Sequence, residues 1–302
     1  MPTPKIINFT DYSLEEVRAQ GPVRPPPPGR ISFVHHCGFD PETRFQRMGV
    51  GTQKMFTVQH GGTPLTGMSF EIQPPGFCRI VEQDMSLYHT PTQSGRVTIE
   101  AVASGDCELR LVSGGTKVDS ISIKAAPSRN VITRFYNLID GTGRQGVDPS
   151  RIQVLNDALP TLIERVKGIV HAQCGVLMVR SGTGLLRDLN TSEDLQARVN
   201  IDRFNIYALS GKDDQAQYHV MYVWGIDGAH SNGITRLNMT MINNALTNQY
   251  PEVTLAHEFV HFLSGSGIRR VDDHDPRRED LMFKTAPHGI NMRKDRLLRI
   301  IS

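Results

Sequence analysis

Long apolar runs are missing from this chain of 302 residues, and so is any excess of charge of one sign. The hydrophobic stretches are far too short to cross a bilayer, which excludes a helical membrane span. Lys and Arg number 33 against 31 Asp and Glu, a formal net charge of +2, so nothing draws the chain toward nucleic acid or a membrane surface. The opening residues, MPTPKIINFTDYSLEEV, lack the apolar core of a Sec-type signal peptide. The expectation is a cytoplasmic protein, one exported by a signal-independent route, or one written without its leader. Cysteine is scarce, with only Cys37, Cys78, Cys107 and Cys174. Cys78 shares strand parity with Ile80, and Cys107 with Leu109 and Leu111. Both are expected in one β core, either as buried thiols or as a disulfide that would argue for an oxidising destination.

What is present suits a multidomain soluble protein. The composition is 38% hydrophobic and 21% charged, and the length allows two domains with separate cores. Residues 1–47 read as an extended Pro-rich segment around Pro25-Pro26-Pro27-Pro28, a polyproline arm or linker. Residues 48–125 show short alternating strands, such as Phe56/Val58, Phe70/Ile72, Val97/Ile99 and Ile121/Ile123. Gly61-Gly62, Pro74-Pro75-Gly76 and Gly114-Gly115 punctuate them. The pattern predicts an all-β sandwich of immunoglobulin-like type and is similar to bacterial Ig-like modules. Residues 126–302 change to an α+β pattern. Asp148-Pro149 starts a helix with Ile152, Leu155, Leu159, Leu162 and Val166 at helical spacing, and Pro160 is expected to kink or split it. Strands are predicted at 176–179, 204–209 and 234–242, and Asn291 can cap a short basic helix through Leu298.

The most specific feature is His257-Glu258-Phe259-Val260-His261. Histidines at i and i+4 share one helical face, so both imidazoles can reach one ion, and the glutamate beside the first can act as a base on a water. Random order would give this pattern in about one or two of a hundred chains of this composition. Pro251 and Glu252 suit a helix start, and Ser264-Gly265 a stop. Leu255, Phe259 and Phe262 form an apolar stripe expected to face away from the histidines, leaving these toward a cleft. The plainer alternative is a helix with two surface histidines.

With His274 and Met282 downstream, these residues resemble the metzincin clan of zinc metalloendopeptidases. There a helix carries H-E-x-x-H, a glycine breaks it, a third histidine follows, and a Met-turn lies under the metal. His257, Glu258, His261, His274 and Met282 match residue by residue, and the step from His274 to Met282 is that of matrixin-type members. Thr254-Leu255-Ala256 and Phe262-Leu263 are also similar. The usual pattern is HExxHxxGxxH. Here position 267 is glycine and the histidine comes only at 274, so Gly265 to Asp273 forms an insertion. Lys284 stands where some subfamilies carry a tyrosine.

The resemblance implies a metzincin-type zinc peptidase domain over 126–302, with one Zn2+ per chain held by His257, His261 and His274. It implies Glu258 as the general base, Met282 as an apolar floor, and a peptide or protein substrate. Gly233, Ile234, Thr235, Arg236 and Leu237 are the candidate edge strand to which an extended substrate adds. One alternative is a gluzincin-type site with Glu279 as third ligand. Another is a non-catalytic Ig-like binding protein with a degenerate peptidase domain. An Ig-like module on a leaderless peptidase would suit a delivered bacterial toxin or effector. No delivery or inhibitor partner is readable from the sequence.

Other patterns carry less. Gly141-Thr142-Gly143-Arg144-Gln145-Gly146 fits G-x-G-x-x-G, but the helix starts only after the glycines, so an interdomain loop is the better reading. Cys37-Gly38 is similar to the prodomain thiol by which matrixin-type enzymes occupy the open zinc position, set against a plain buried or surface thiol. Asp213-Asp214 and Asp272-Asp273 could hold calcium but read as solvated loop residues.

Overall fold

A computed structural model describes residues 4–8, 39–40, 43–60, 65–90, 93–139, 149–187, 215–223, 233–243, 251–265, 281, 292 and 300. The chain is β-rich, with several sheets and two helices among these residues. It divides into two compact units. The described residues of Met1–Arg129, Gly168–Val176 and Ile290–Ser302 form one, and those of Asn130–Lys167 and Leu177–Gly289 the other.

In the first unit, one sheet runs in the order β1 (Lys5–Asn8), β4 (Gln53–Gln59), β7 (Gln93–Ala101), β6 (Cys78–Thr90), with all neighbours antiparallel. The other runs β2 (Phe39–Asp40), β3 (Phe45–Gly49), β9 (Thr116–Ala126), β8 (Gly105–Ser113), β5 (Met68–Gln73), with β3 and β9 parallel and the rest antiparallel. Period-2 patterning explains the burial. In β8, Cys107, Leu109 and Leu111 are buried while Glu108 and Arg110 between them are half-exposed. Ile6, Phe56, Val97 and Ile99 of one sheet and Met48, Leu111, Ile121 and Ile123 of the other join in a single core. The expected strands at Phe56/Val58, Phe70/Ile72, Val97/Ile99 and Ile121/Ile123 lie in β4, β5, β7 and β9.

Cys78 and Cys107 both enter this core as free thiols. A hydrogen bond with Cys107, and then burial, push the Cys78 thiol well above its ordinary range.

The expected extended arm over 1–47 is corrected at both ends. Lys5–Asn8 pairs with β4 and buries Ile6 completely, and Phe39–Asp40 and Phe45–Gly49 are strands of the second sheet. An isolated four-residue strand has little local signal, and its pairing with β4 and its apolar Ile6 decide the matter. Residues 9–38, including Cys37 and the proline run, lie outside the described residues.

The second unit is built on a five-stranded sheet in the order β11 (Val176–Arg187), β10 (Arg129–Ile139), β12 (Tyr218–Val223), β14 (Met239–Asn243), β13 (Gly233–Arg236). β10, β12 and β14 are parallel, and β13 turns back antiparallel to β14 as the edge. β12 is buried at every position, as a strand inside a mostly parallel sheet should be. The run expected as one strand over 234–242 is instead this β13–β14 hairpin. Leu237 turns the chain in the left-handed region at φ 54°, and Asn238 follows it. Leu237 is therefore a turn residue and not part of the edge strand.

Helix α1 (Pro149–Cys174) runs on through Pro160, which neither ends nor splits it. Pro160 faces solvent, while Leu159, Leu162, Val166 and Val170 bury an apolar stripe that offsets the cost of an interior proline, about 3 kcal/mol. Its last turn belongs to the first unit. Gly175 caps it at φ 77°, where a Cβ would meet the Pro127 carbonyl oxygen at 2.7 Å. The boundary expected at residue 126 thus leaves out Gly168–Val176 and the described residues Met292 and Ile300, which group with the first unit. Met292 N–H, for example, donates to Gln173 Oε1 at 2.8 Å. No helix among the described residues is long and apolar enough to cross a membrane. The strand expected at 204–209 and the helix expected from Asn291 lie outside the described residues, apart from Met292.

Candidate metal centre

Helix α2 (Pro251–Leu263) carries the site. Pro251 opens it, Glu252 sits in its first turn, and Gly265 ends it at φ 67°. An ion pair from Arg165 on α1 to Glu252 spans 3.7 Å. The helix lies against β13 and β14. The Tyr218 ring stacks on Phe262 at 4.6 Å and tilts against Phe259 at 5.3 Å, which seats the helix on the sheet. The stripe expected to leave the histidines toward an open cleft is broader than that. Every residue from Val253 to Val260 is buried, His257 and Glu258 included, and His261 is half-buried. The sheet lies on one side of the helix, and the Leu281 carbonyl meets His257.

The two imidazoles meet tip to tip. His257 Nε2 and His261 Nε2 are 3.1 Å apart, with the rings at 81°. His257 Nδ1 lies 2.7 Å from the Leu281 carbonyl oxygen, which can only accept, so Nδ1 carries the proton and Nε2 presents a lone pair. His261 Nε2–H then donates to it. Two imidazole nitrogens on one tetrahedral zinc at about 2.0–2.1 Å stand about 3.3–3.4 Å apart, so the pair fits a metal with little movement. The backbone carbonyl that fixes His257 is the kind of outer partner such ligands use. Among the described residues no third His, Cys, Asp or Glu completes the set. His274, Glu279 and Met282 lie outside the described residues, but Leu281 brings the chain beside Met282 to His257.

Glu258 projects under the edge strand. Its Oε2 accepts from Thr235 Oγ1 at 2.5 Å, and its backbone carbonyl lies 3.1 Å from the same hydroxyl. Gly233 makes room for it, since a Cβ there would stand 2.7 Å from Glu258 Cγ and Oε1. Burial pushes the Glu258 carboxyl up to about 7, and the Thr235 hydrogen bond partly opposes this. A carboxyl poised there can take and return a proton near neutral pH.

The structure therefore brings together His257, Glu258, His261, Gly233 and Thr235. Ile234 and Arg236 complete the edge strand and Leu237 its turn. Sequence reasoning missed Tyr218 and Thr240, whose hydroxyls lie 2.5 Å apart behind Thr235. The available signal is Thr240 itself, one hydroxyl amid Met239, Met241 and Ile242 on a buried strand. It also missed the Leu281 carbonyl, which no side-chain pattern marks.

No family model matches the chain. No curated protein matches it. Among solved structures, the S-layer protein rSbsC(31-844) is similar at 18% identity over 28% of this chain and 12% of that one, with a TM-score of 0.23. Domains 4 and 5 of S-layer protein SbsC are similar at 18% identity over 28% of this chain and 41% of that one, with a TM-score of 0.21. The chain thus spans well under half of either, and a likeness of this degree carries no functional argument.

Proposed function

We propose that this chain is a zinc-dependent endopeptidase. The observation that carries the reading is a buried helix placing two imidazole Nε2 atoms 3.1 Å apart next to a buried carboxyl under a sheet edge. His257 and His261 would hold the metal, with His274 as the third ligand. When bound, zinc would supply a Lewis acid that acidifies a water and polarises the scissile carbonyl. The chain's own residues do the rest. The open edge of β13 offers backbone N–H and C=O groups to an extended peptide, which suits a peptide better than a sugar or nucleotide. Glu258 takes the proton of the attacking water and returns it to the leaving amine. The buried setting of Val253–Val260 keeps bulk water from the base.

The first unit fits an immunoglobulin-like module. Its strand order 1-4-7-6 against 5-8-9, with β3 added parallel to β9, corresponds to the ABED and CFG sheets of a constant-type sandwich. Its buried thiols sit on β6 and β8, so they do not occupy the inter-sheet disulfide positions of antibody domains.

Purified protein should bind one zinc per chain, and a peptide library should be cut by wild type and spared by Glu258→Ala with its zinc retained. Wild-type cleavage by Glu258→Ala, or no bound metal after gentle purification, would sink the proposal. His274→Ala should weaken zinc binding strongly and Glu279→Ala hardly at all. The reverse result would replace the metzincin-type ligand set with the gluzincin one.

A further inference from the structure

We propose that Thr235, backed by Thr240 and Tyr218, is the positioning residue of the base Glu258, so that the strand offered to substrate also holds the catalytic carboxylate. The inference rests on the reading of Glu258 as general base. Three hydroxyls stand in line behind that carboxylate. Thr235 Oγ1 is 2.5 Å from Glu258 Oε2, Thr240 Oγ1 is 2.5 Å from Thr235 Oγ1, and Tyr218 OH is 2.5 Å from Thr240 Oγ1. Each hydroxyl has one proton to give, and a carboxylate can only accept. With Glu258 ionised the direction is forced. Thr235 donates to Glu258, so Thr240 must donate to Thr235, and Tyr218 to Thr240. Every hydroxyl in the line then has an acceptor, which a dry interior requires.

Thr235 is the pivot of that line, because its hydroxyl meets Glu258 Oε2 and Thr240 Oγ1 at 2.5 Å and the Glu258 backbone carbonyl at 3.1 Å. It therefore fixes the carboxyl through Oε2. Oε1 has no hydrogen-bond partner among the described residues, and Gly233 gives it space. It is the oxygen left to exchange a proton with water. Gly233 and Thr235 are two apart on β13 and so present to the same face, toward α2. Among the described residues, β13 is the edge strand of the sheet.

Three variants and two readouts test this. Thr235→Val keeps the branched shape and removes the hydroxyl, Thr235→Ser keeps the hydroxyl, and Gly233→Ala crowds Glu258 directly. Kinetics on a cleaved peptide should show kcat falling about 10- to 100-fold in Thr235→Val, with KM and zinc affinity near wild type. Thr235→Ser should recover most of the loss, and Gly233→Ala should resemble Thr235→Val. In metal-free protein, carbon-13 NMR of the Glu258 side chain should show one ordered conformer in wild type and Thr235→Ser, and averaging in Thr235→Val. An unchanged Glu258 signal or wild-type kcat in Thr235→Val would overturn the inference, as would equal damage by Val and Ser. Ordered Glu258 that loosens in Thr235→Val, in a protein that cuts no peptide, would instead uphold the positioning and discard the peptidase reading.

Discussion

Both units are built on β-sheets, yet the faces they bury carry different chemistry. Between the sheets of the first unit lie hydrocarbon side chains such as Phe56, Ile99, Leu111 and Ile123, joined by two thiols. Beneath α2 in the second unit the sheet presents Tyr218, Thr240 and Thr235 to a carboxyl. A hydrocarbon interface needs only volume and close packing. A polar one persists only if each hydroxyl finds a partner in a fixed place. The contrast indicates where chemistry can sit in this molecule. In the second unit the buried carboxyl is held by hydrogen bonds, whereas the core between the sheets of the first is held by packing.

Crossed substitutions should separate the two. Glu258→Ala should lower turnover by about 10²–10⁴ in protein that still folds and binds zinc, measured by peptide hydrolysis and metal analysis. Phe56→Ala, at a fully buried site, should cost about 3–5 kcal/mol in denaturant unfolding and leave zinc stoichiometry and turnover per folded molecule unchanged. If either substitution produced the other's phenotype, the division of labour would fail.

A third test uses pH. The Glu258 carboxyl is raised from 4.5 to about 7, so the folded state holds that proton more tightly than the unfolded chain does. Stability from this group is intact below pH 4.5, falls as pH rises, and stays low above pH 7. In metal-free protein, Glu258→Gln should therefore be more stable than wild type at pH 8, by up to roughly 3 kcal/mol, and equal to it at pH 4. Equal stability at both pH values would mean that the carboxyl is not desolvated.

The smallest effect belongs to the surface of the first unit. Arg79 and Glu100 pair at 2.6 Å across β6 and β7, but the arginine is 67% exposed. Arg79→Ala should change the unfolding free energy by about 1 kcal/mol or less, and high salt should erase the difference.

The parts of this molecule that speak locally are the ones the sequence discloses. Pro251, Glu252, the paired histidines and Gly265 each constrain their own few residues, and α2 follows them closely. The alternating strands of the first unit also read directly, because one face meets the core and the other meets water. β12 does not, since Tyr218–Val223 is buried throughout and shows no period. The β13–β14 turn does not, because a leucine in the left-handed region is set by the pairing on either side and not by leucine's own preference. The hydroxyl line is hidden for a related reason. Tyr218, Thr240, Thr235 and Glu258 are brought together by three strands and a helix, and no spacing in the chain marks them.

The described residues of the first unit come from pieces far apart in the chain, with Gly168–Val176 and Met292 grouped with the strands before Arg129. This orders events on the ribosome. All nine strands of the two sheets are synthesised once Ala126 is added, but the helix end that Gly175 caps and the Met292 backbone that bonds Gln173 come later. At about 5–20 residues per second, the interval between Arg129 and Met292 lasts roughly ten to thirty seconds. During that time the module waits for the Met292 backbone that closes on Gln173, the stage at which a chaperone would have most to shield.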